Sequence, residues 1–295
     1  MKTSEENQFA SVKAQTLIES LPWLQNFHGK VVVVKFGGNA MVDESLQRAF
    51  AQDMAYLRWV GIKPVVVHGG GPQISARLQE LGIESEFRAG FRVTTEQSIQ
   101  VIRDVLRNDI SSKLADLIIE AGAESQVMSG EDGNLFRATK TVTDASGEPI
   151  DLGLVGEVTM VNPRIIFDSL EQGKVPVVST VAPDSNGQLL NVNADLAASA
   201  LAVALGAEKL MVLTDVTGLY SDWPNTESLV SEITAAELDQ LLPTLESGMI
   251  PKMQACLSAV RGGVPRAHVI DGRVPHSILL EIFTKSGFGS MVLPE

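Results

Sequence analysis

Short apolar runs alternate along this chain with longer stretches in which apolar residues recur every three or four positions. Val31–Phe36 and residues 64–67 are such runs, rich in β-branched residues, which is typical of strands buried on both faces of a sheet. Glycines follow each run and a helical pattern comes next, and strand and helix patterns alternate again from Lys209–Thr214 onward. This alternation predicts an α/β fold, a three-layer αβα sandwich with a largely parallel central sheet.

The helical patterns have start and stop residues. Asp43 or Ser45 is a candidate N-cap, and Pro72 stands just inside the helix that follows the second strand. The predicted helices span residues 43–60, 95–108, 110–121, 195–205, 252–261 and 275–283. Residues 125–187 differ, because turn sequences such as GEDGN, DASGEP and PDSNG separate short β-prone runs there. They predict a β-hairpin flap over a substrate.

The first 28 residues form a separate element. Apolar residues recur there at roughly helical spacing, and Pro22 is expected to break or bend the helix near its end. The stripe consists of Phe9, Val12, Leu17, Ile18, Leu21 and Leu24. It predicts an amphipathic N-terminal helical arm. Such a stripe needs a partner surface, either the arm's own domain or another subunit, and the sequence leaves both open.

Composition narrows the class of protein. Of 295 residues 44% are apolar, which suffices for a large core, and the formal net charge is −13. That charge argues against non-specific binding to nucleic acids or anionic membranes. The single cysteine, Cys256, rules out an internal disulfide framework. Because no signal-like or membrane-spanning apolar run occurs, the sequence predicts a soluble cytoplasmic protein.

Glycines follow two of the predicted strands and predict an anion site. Gly37 and Gly38 follow the first, and three consecutive glycines, residues 69–71, follow the second. Such turns expose backbone N–H groups, to which the next helix adds its positive dipole end. Lys35 lies in the first strand and Lys252 opens a helix. Together they predict a site for phosphoryl transfer, although a simple tight turn at Gly37 and a solvent-reaching Lys35 are the plainer alternatives.

Two further segments carry polar groups at the ends of strands. NVNAD runs from Asn191 to Asp195 and could serve for helix capping, for ligand contact, or for both. TDVTGLY ends at Tyr220 and suits the edge of a nucleotide. No phosphate-binding loop of the G-x-x-x-x-G-K-[ST] type and no G-x-G-x-x-G turn after the first strand occurs, and the four histidines have no metal-ligand spacing.

Taken together, these segments resemble the amino-acid kinase family, and within it the kinases that act on N-acetyl-L-glutamate. The most specific motifs are KFGGNAM, HGGGPQI, FRVT, NVNAD, LGAEKLMVLTDVTGLY and the C-terminal stretch from GMIPK onward. The resemblance implies transfer of a phosphoryl group from ATP, with Mg²⁺, to the side-chain carboxylate of the substrate, in the second step of arginine biosynthesis. It implies no metal ligands of the protein's own, since Mg²⁺ is held mainly through the nucleotide phosphates.

The resemblance also assigns roles to residues. Lys35 and Lys252 neutralise the transferring group, and Asp195 holds both lysines. The substrate contacts are Gly70, Gly71, Arg92 and Asn191, and the nucleotide contacts are Gly37, Gly38, Asp215, Gly218 and Tyr220. The implied domains are the arm (residues 1–28), an N-lobe that binds the acyl-amino acid (29–190) and a C-lobe that binds ATP (191–295).

The arm and the C-terminal stretch resemble the arginine-inhibited branch of the family. That branch implies a homo-hexamer, a trimer of dimers joined by the arm, with L-arginine bound between arm and C-lobe, and it leaves open a PII-type signalling partner. The implied effector contacts are Lys209, His268, Glu281 and Gly287. Two positions depart from the family pattern: Trp23 replaces a frequent tyrosine, and GEDG at residues 130–133 replaces a commoner SGKDG.

Two other functions stay open from the sequence. A sister kinase that forms an acyl phosphate, such as glutamate 5-kinase or an aminoadipate-type kinase, would keep the lysines and glycines and change the acyl contacts. A non-catalytic arginine-binding regulator would keep the C-terminal stretch and lose the catalytic lysines. The presence of Lys35, Lys252 and Asp195 disfavours the regulator.

Overall fold

A computed structural model describes residues 4–88, 90–142, 148–246, 248–284 and 287–295. The helices are α1 (Ser4–Phe27), α2 (Glu44–Trp59), α3 (Gly71–Glu80), α4 (Glu96–Asp104), α5 (Ser112–Glu120), α6 (Arg164–Glu171), α7 (Ala194–Ala204), α8 (Ala235–Leu241), α9 (Ile250–Arg261) and α10 (Ser277–Phe283). A π-helix, Val105–Ser111, joins α4 to α5, and short 3₁₀ turns cover Gly38–Met41, Asp132–Asn134, Thr226–Ser228 and Leu242–Thr244.

The strands are β1 (Val31–Phe36), β2 (Lys63–His68), β3 (Phe87–Arg88), β4 (Phe91–Arg92), β5 (Ser125–Ser129), β6 (Phe136–Lys140), β7 (Val155–Val161), β8 (Val175–Ser179), β9 (Val181–Pro183), β10 (Leu189–Val192), β11 (Lys209–Thr214), β12 (Leu219–Tyr220), β13 (Leu229–Val230), β14 (Glu232–Thr234), β15 (Ala267–Asp271) and β16 (Ser290–Leu293). The predicted alternation of strands and helices is confirmed.

Eight strands form the central sheet, in the order β14-β16-β15-β11-β1-β2-β8-β5. All neighbours in it are parallel except β15 and β16. Because β2, β1 and β11 are adjacent and parallel, the loops after their carboxyl ends meet at one edge of the sheet. In such sheets ligands bind at this edge, and both predicted glycine turns and Asp215 lie there.

Helices cover both faces of this sheet. Side chains alternate along β1, so that Val33 packs in one core cluster with α7 and α9 while Val32 and Val34 pack in another with α2 and α5. The period of two that places successive residues on opposite faces therefore separates two helical layers. This arrangement confirms the predicted αβα sandwich.

A second, four-stranded sheet has the order β6-β7-β10-β9. Its β6 and β7 form the expected antiparallel hairpin, whose connecting residues 143–147, and with them most of the DASGEP turn, lie outside the described residues. The prediction of short strands throughout residues 125–187 missed α6 and the placement of β5 and β8 in the central sheet. Helix α6 has only eight residues and includes two β-branched isoleucines, which weakens the helical signal.

The other predicted helices are close to the observed ones. Asp43, not Ser45, is the N-cap of α2, because its Oδ1 accepts hydrogen bonds from the backbone N–H groups of Ser45 and Leu46. The two helices expected over residues 95–108 and 110–121 are joined without interruption by the π-helix. The apolar spacing did not predict that element.

The arm is a single helix, α1, that continues past Pro22 to Phe27. Residues 1–3 and the side chain of Phe9 lie outside the described part of the chain. Four members of the apolar stripe have 47–65% of their surface exposed: Val12, Leu17, Ile18 and Leu21. Near its end the helix packs on its own chain, where Phe27 is buried and Trp23 lines a pocket. In the described residues no helix is long and apolar enough to cross a membrane.

Candidate active site

Three predicted catalytic side chains meet at the carboxyl edge of the central sheet. The ammonium group of Lys35, near the end of β1, lies 2.9 Å from Oδ1 of Asp195, and that of Lys252, in α9, lies 3.5 Å from Oδ2. We call these three residues the Asp195 cluster. Burial raises the pKa of Asp195, but the charges of Lys35 and Lys252 outweigh it, so its pKa falls below the usual range. One ionised carboxylate therefore holds two ammonium groups.

The first glycine turn fits closely around this cluster. A Cβ on Gly37 would lie 2.2 Å from the Lys35 ammonium nitrogen, so only glycine lets that side chain fold back over the turn. Gly38 has a φ of +74°, and a Cβ there would lie 2.4 Å from a carboxylate oxygen of Asp215. Both positions thus need glycine for close approach. At Gly38 the turn after β1 thus lies against Asp215, the residue that follows β11.

The second glycine turn presents backbone N–H groups. The Gly70 carbonyl accepts from the N–H of Ile74 at 2.8 Å, and the Gly71 carbonyl accepts from Arg92 at 2.9 Å. Helix α3 begins at Gly71, so the Gly71 N–H has no partner inside the helix. A turn whose carbonyls are occupied and whose N–H groups begin a helix is suited to binding an anion.

Arg92 lies against this turn. Its guanidinium donates to the Gly71 carbonyl and to the hydroxyls of Ser75 and Ser85, and it stacks 4.6 Å from the Phe87 ring centroid. These partners are neutral, and within the described residues no carboxylate pairs with Arg92. Burial lowers its pKa from the usual value. The sequence did not reveal the two serines that hold this buried, uncompensated charge.

Asn191 and Asn193 have separate roles. Asn193 caps α7, since its Oδ1 accepts from the backbone N–H groups of Asp195 and Leu196. The side chain of Asn191 donates to the Thr94 hydroxyl at 3.2 Å. This contact joins β10 to the segment that carries Arg92. The capping alternative for this motif is therefore correct for Asn193, while ligand contact by Asn191 stays a prediction.

The predicted nucleotide edge follows β11. A Cβ on Gly218 would lie 2.6 Å from the Ser290 hydroxyl, so the chain passes close to β16 there. The Tyr220 ring lies 5.1 Å from that of Trp223. Asp271 holds Arg273 at 2.7 Å. The hydrogen bond to Asp271 raises the pKa of this arginine, which the sequence did not single out, and the charge of Asp215 adds to the effect. Among the described residues no group of three or more His, Cys, Asp or Glu could hold a metal ion.

The predicted effector residues meet in a second place, below the arm. Oε1 of Glu281 lies 2.8 Å from both the Lys209 ammonium and Nδ1 of His268, and its Oε2 accepts from the Phe288 N–H. We call Lys209, His268 and Glu281 the Glu281 cluster. Burial raises the pKa of Glu281, but the hydrogen bond from His268 and the charge of Lys209 outweigh it, and the pKa falls to about 2.

A pocket of about 370 Å³ opens beside the Glu281 cluster. Trp23 of the arm forms part of its wall, and Gly287, with a φ of +63°, forms another part. A Cβ on Gly287 would lie 3.2 Å from Oε2 of Glu281. The four predicted effector positions are thus brought together at one pocket, next to the arm.

A family model for the "Amino acid kinase family" matches residues 30–271. The acetylglutamate kinase of Saccharopolyspora erythraea is 60% identical over 285 residues, covering 97% of this chain and 94% of the relative. That of Leifsonia xyli is 59% identical over 291 residues, covering 98% and 96%. A solved structure of N-acetylglutamate synthase from Neisseria gonorrhoeae, complexed with coenzyme A and N-acetyl-glutamate, has a TM-score of 0.83 at 22% identity. It covers 96% of this chain and 63% of that one, and shows the fold alone.

This chain belongs to the amino-acid kinase family, and within it to the acetylglutamate kinases. The predicted family, fold class and enzyme class are confirmed. The roles assigned to single residues stay predictions, although the geometry brings the predicted members of each site together.

Proposed function

We propose that the chain transfers the terminal phosphoryl group of ATP to the side-chain carboxylate of N-acetyl-L-glutamate, as the second step of arginine biosynthesis. The observation that carries the proposal is the Asp195 cluster, in which two ammonium groups share one buried carboxylate beside two glycine turns. One positive charge in excess there favours a transferring phosphoryl group, whose negative charge must be stabilised.

The chemistry needs no general base from the protein. A carboxylate is ionised at neutral pH, so one of its oxygens attacks the terminal phosphorus while the bond to the bridging oxygen breaks and ADP leaves. Lys35 and Lys252 neutralise the charge between the two anions. The N–H groups of Gly70 and Gly71 and the guanidinium of Arg92 hold the acyl substrate, and this positioning supplies much of the rate.

ATP is bound, in this proposal, between the first glycine turn and the edge formed by Asp215, Gly218 and Tyr220. Mg²⁺ would be bound with it and would supply screening of the phosphate charge. Mg²⁺ keeps several water ligands and is commonly held through substrate phosphates and one or two carboxylates. Mg²⁺ would be held here mainly through the nucleotide phosphates, and the carboxylate of Asp215 lies beside Gly38 at the edge of this site.

The test is a comparison of acceptors. With ATP and Mg²⁺, the purified chain is given N-acetyl-L-glutamate, free L-glutamate or N-acetyl-aminoadipate, and the acyl phosphate is trapped with hydroxylamine as a hydroxamate. We expect the product with N-acetyl-L-glutamate to exceed the others by at least tenfold. A preference for free glutamate or for the longer acid would identify a sister kinase, and no hydroxamate with any acceptor would support the non-catalytic regulator.

We further propose that L-arginine binds the pocket beside the Glu281 cluster and that α1 joins dimers into a hexamer. Trp23 lines the pocket, so the arm's position and the pocket's shape depend on each other. The exposed stripe on α1 has the apolar character of an interface. An effector there inhibits if it binds the less active state better. A PII-type partner and a cytoplasmic location stay predictions.

Deleting residues 1–27 tests this regulation. We expect a dimer by light scattering, retained kinase activity, and an arginine concentration for half-inhibition that is raised about 5- to 150-fold, the usual range of allosteric coupling. A full-length Leu17→Glu variant should also disassemble the hexamer, while Glu19→Lys, on the opposite side of the helix, should not. A truncated protein of unchanged size and arginine sensitivity would reduce α1 to a packing helix.

A further inference from the structure

The imidazole of His68, the last residue of β2, is fully buried beside the second glycine turn. Its Nδ1 lies 2.9 Å from the Gly69 carbonyl oxygen and its Nε2 lies 2.6 Å from the Ser111 hydroxyl. Burial lowers the pKa of His68 to about 4; the Gly69 carbonyl opposes this and Lys35 adds to it. The ring is therefore neutral at pH 7. Because a carbonyl only accepts, the proton is on Nδ1, and Nε2 accepts from the hydroxyl.

The bond from Nδ1 fixes a whole peptide unit. A trans peptide is planar, and its C=O and N–H point in opposite directions. With the Gly69 oxygen directed at His68, the N–H of Gly70 is directed away from the imidazole. That N–H has no hydrogen-bond partner within the described residues, and Gly70 is one of the predicted contacts of the acyl substrate. The orientation of a predicted binding group is thus set by His68.

A peptide between two glycines needs such a constraint. Neither Gly69 nor Gly70 has a Cβ to restrict its backbone, so reversal of this peptide is sterically easy. A side chain at Gly70 cannot replace the constraint, because its Cβ would lie 2.4 Å from Ile110 and 2.9 Å from Leu106. Both of these residues belong to the π-helix, an element that is rare and is found often at functional sites.

The π-helix also supplies the partner of the ring. Ser111 is its last residue and is fully buried, and its hydroxyl holds Nε2. The same element therefore closes one side of the glycine turn and orients the imidazole that holds the turn's first peptide. The contacts form one chain, from Ser111 through His68 and the Gly69 carbonyl to the Gly70 N–H.

We infer that His68 is a positioning residue for phosphoryl transfer, which, held by Ser111, keeps the Gly70 N–H directed at the acyl substrate. The inference rests on the proposed function. His68 touches neither substrate and exchanges no proton during the reaction. Its effect is on turnover and on the acyl substrate, and it leaves ATP binding unchanged.

Two substitutions distinguish the roles of the two ring nitrogens of His68. In His68→Asn the side-chain amide replaces Nδ1 and can still donate to the Gly69 carbonyl. In His68→Gln the amide is placed nearer to Nε2 and reaches Ser111 instead. We expect His68→Gln to lower kcat about 10- to 100-fold, part of the ~10²–10³ that loss of an oxyanion donor costs. His68→Asn should stay within about threefold of the original chain, and KM for ATP should change less than twofold in both.

A double-mutant cycle tests the chain of contacts. Ser111→Ala alone should lower kcat by about threefold or more, and adding it to His68→Gln should lower kcat no further, because residues that act through one contact are not additive. The control is His28→Gln, which removes an exposed histidine whose Nδ1 lies 3.3 Å from the Val60 carbonyl, away from the site; it should leave kcat unchanged. Equal losses in His68→Asn and His68→Gln, or full turnover in His68→Gln, would overturn the inference.

Amide NMR on protein labelled with [¹⁵N]glycine reads the peptide orientation directly. The Gly70 signal should move in His68→Gln and Ser111→Ala and stay in place in His68→Asn. If His68→Gln does not fold, Ser111→Ala decides, since wild-type turnover with an unmoved Gly70 signal would contradict the inference. If the original chain makes no acyl phosphate, the proposed function fails by itself, and the Gly70 signal still reports whether His68 sets the peptide.

Discussion

The Asp195 cluster and the Glu281 cluster are built alike, since each has one buried carboxylate with two basic side chains. They differ in net charge. In the Glu281 cluster the contacts are short, and both carboxylate oxygens have partners. Both basic groups lie 2.8 Å from the same oxygen, and a backbone N–H takes the other oxygen. Burial lowers the pKa of His268, so at neutral pH the single charge of Lys209 cancels that of Glu281.

In the Asp195 cluster both partners are lysines, and one positive charge is left over. The contacts are also looser, with Lys252 at 3.5 Å and its side chain 22% exposed. The two clusters therefore differ in net charge, although each is built around one buried carboxylate. The excess positive charge of the Asp195 cluster is available to an anionic ligand, whereas the charges of the Glu281 cluster cancel.

The largest effect is expected when the excess positive charge of the Asp195 cluster is removed. Lys35→Met and Lys252→Met should each lower kcat about 10²–10³-fold, because each removes one group that stabilises the charge on the transferring phosphoryl oxygens. Steady-state kinetics with N-acetyl-L-glutamate and ATP measures this, with thermal unfolding to check that the variants fold. If either variant kept more than half of the original turnover, that lysine would have no catalytic role.

Breaking the balanced cluster should act on stability. Glu281→Gln leaves the Lys209 charge buried without its partner, and we expect a loss of about 3 kcal/mol in unfolding free energy at pH 7. The pKa of Glu281 is lowered on folding, to about 2. Its contribution is therefore complete above the ordinary value near 4.5 and is lost as the pH falls toward 2. Urea unfolding at several pH values should show the two proteins converging in acid; a constant difference would contradict the ionic origin.

A third buried acid extends the comparison of the two clusters, because its ionic partner is a histidine and not a lysine. Asp53 in α2 lies 2.6 Å from Nδ1 of His276, and burial raises its pKa to about 6. Its protonated form is favoured in the fold, so wild-type stability relative to Asp53→Asn should fall by roughly 2 kcal/mol as the pH rises from 4 to 7. Urea unfolding of both proteins measures this. A difference that grows in the other direction would mean that the pair with His276 outweighs burial.

The smallest expected effect concerns Arg92, whose charge has only neutral partners. Arg92→Ala should raise KM for N-acetyl-L-glutamate about tenfold and change kcat little, because a contact made equally in ground state and transition state affects binding alone. Arg92→Lys is the matched control, since it keeps the charge and loses the two-pronged donor. A selective loss of ATP affinity would place Arg92 at the nucleotide instead.

The sequence predicted most of the sheet, and the structure brings together the residues it proposed for each site. Runs such as Val31–Phe36 were correct to the residue, because strands buried on both faces show as continuous apolar stretches. The glycines after β1 and β2 predicted an anion site, and at Gly37, Gly38 and Gly70 a Cβ would meet close neighbours. The resemblance named the residues of the Asp195 and Glu281 clusters. Their net charges follow only from the contacts in the structure.

What the sequence missed depends on contacts between distant segments. His68 received no role, although it begins the HGGGPQI motif, because its partner Ser111 lies 43 positions away and the sequence does not show that contact. The π-helix differs from an α-helix only in its hydrogen-bond register, and apolar spacing does not report it. Ser75 and Ser85, which hold Arg92, likewise have no signal of their own. Local propensity cannot encode such pairs, since the fold alone brings them together.

The pairing of β1 with β11 has a consequence for synthesis of the chain. Val32 lies beside Lys209 in the sheet, so β1 has no neighbour on that side until everything between the two strands has been made. Until then the growing chain presents an unpaired apolar strand edge, the kind of template on which other chains add. The predicted N-lobe, residues 29–190, ends before β11, so as an isolated fragment it would keep that edge open. Biosynthesis of this enzyme is thus most exposed to aggregation in the interval before β11 emerges, and a chaperone that covers the edge of β1 would act in that interval.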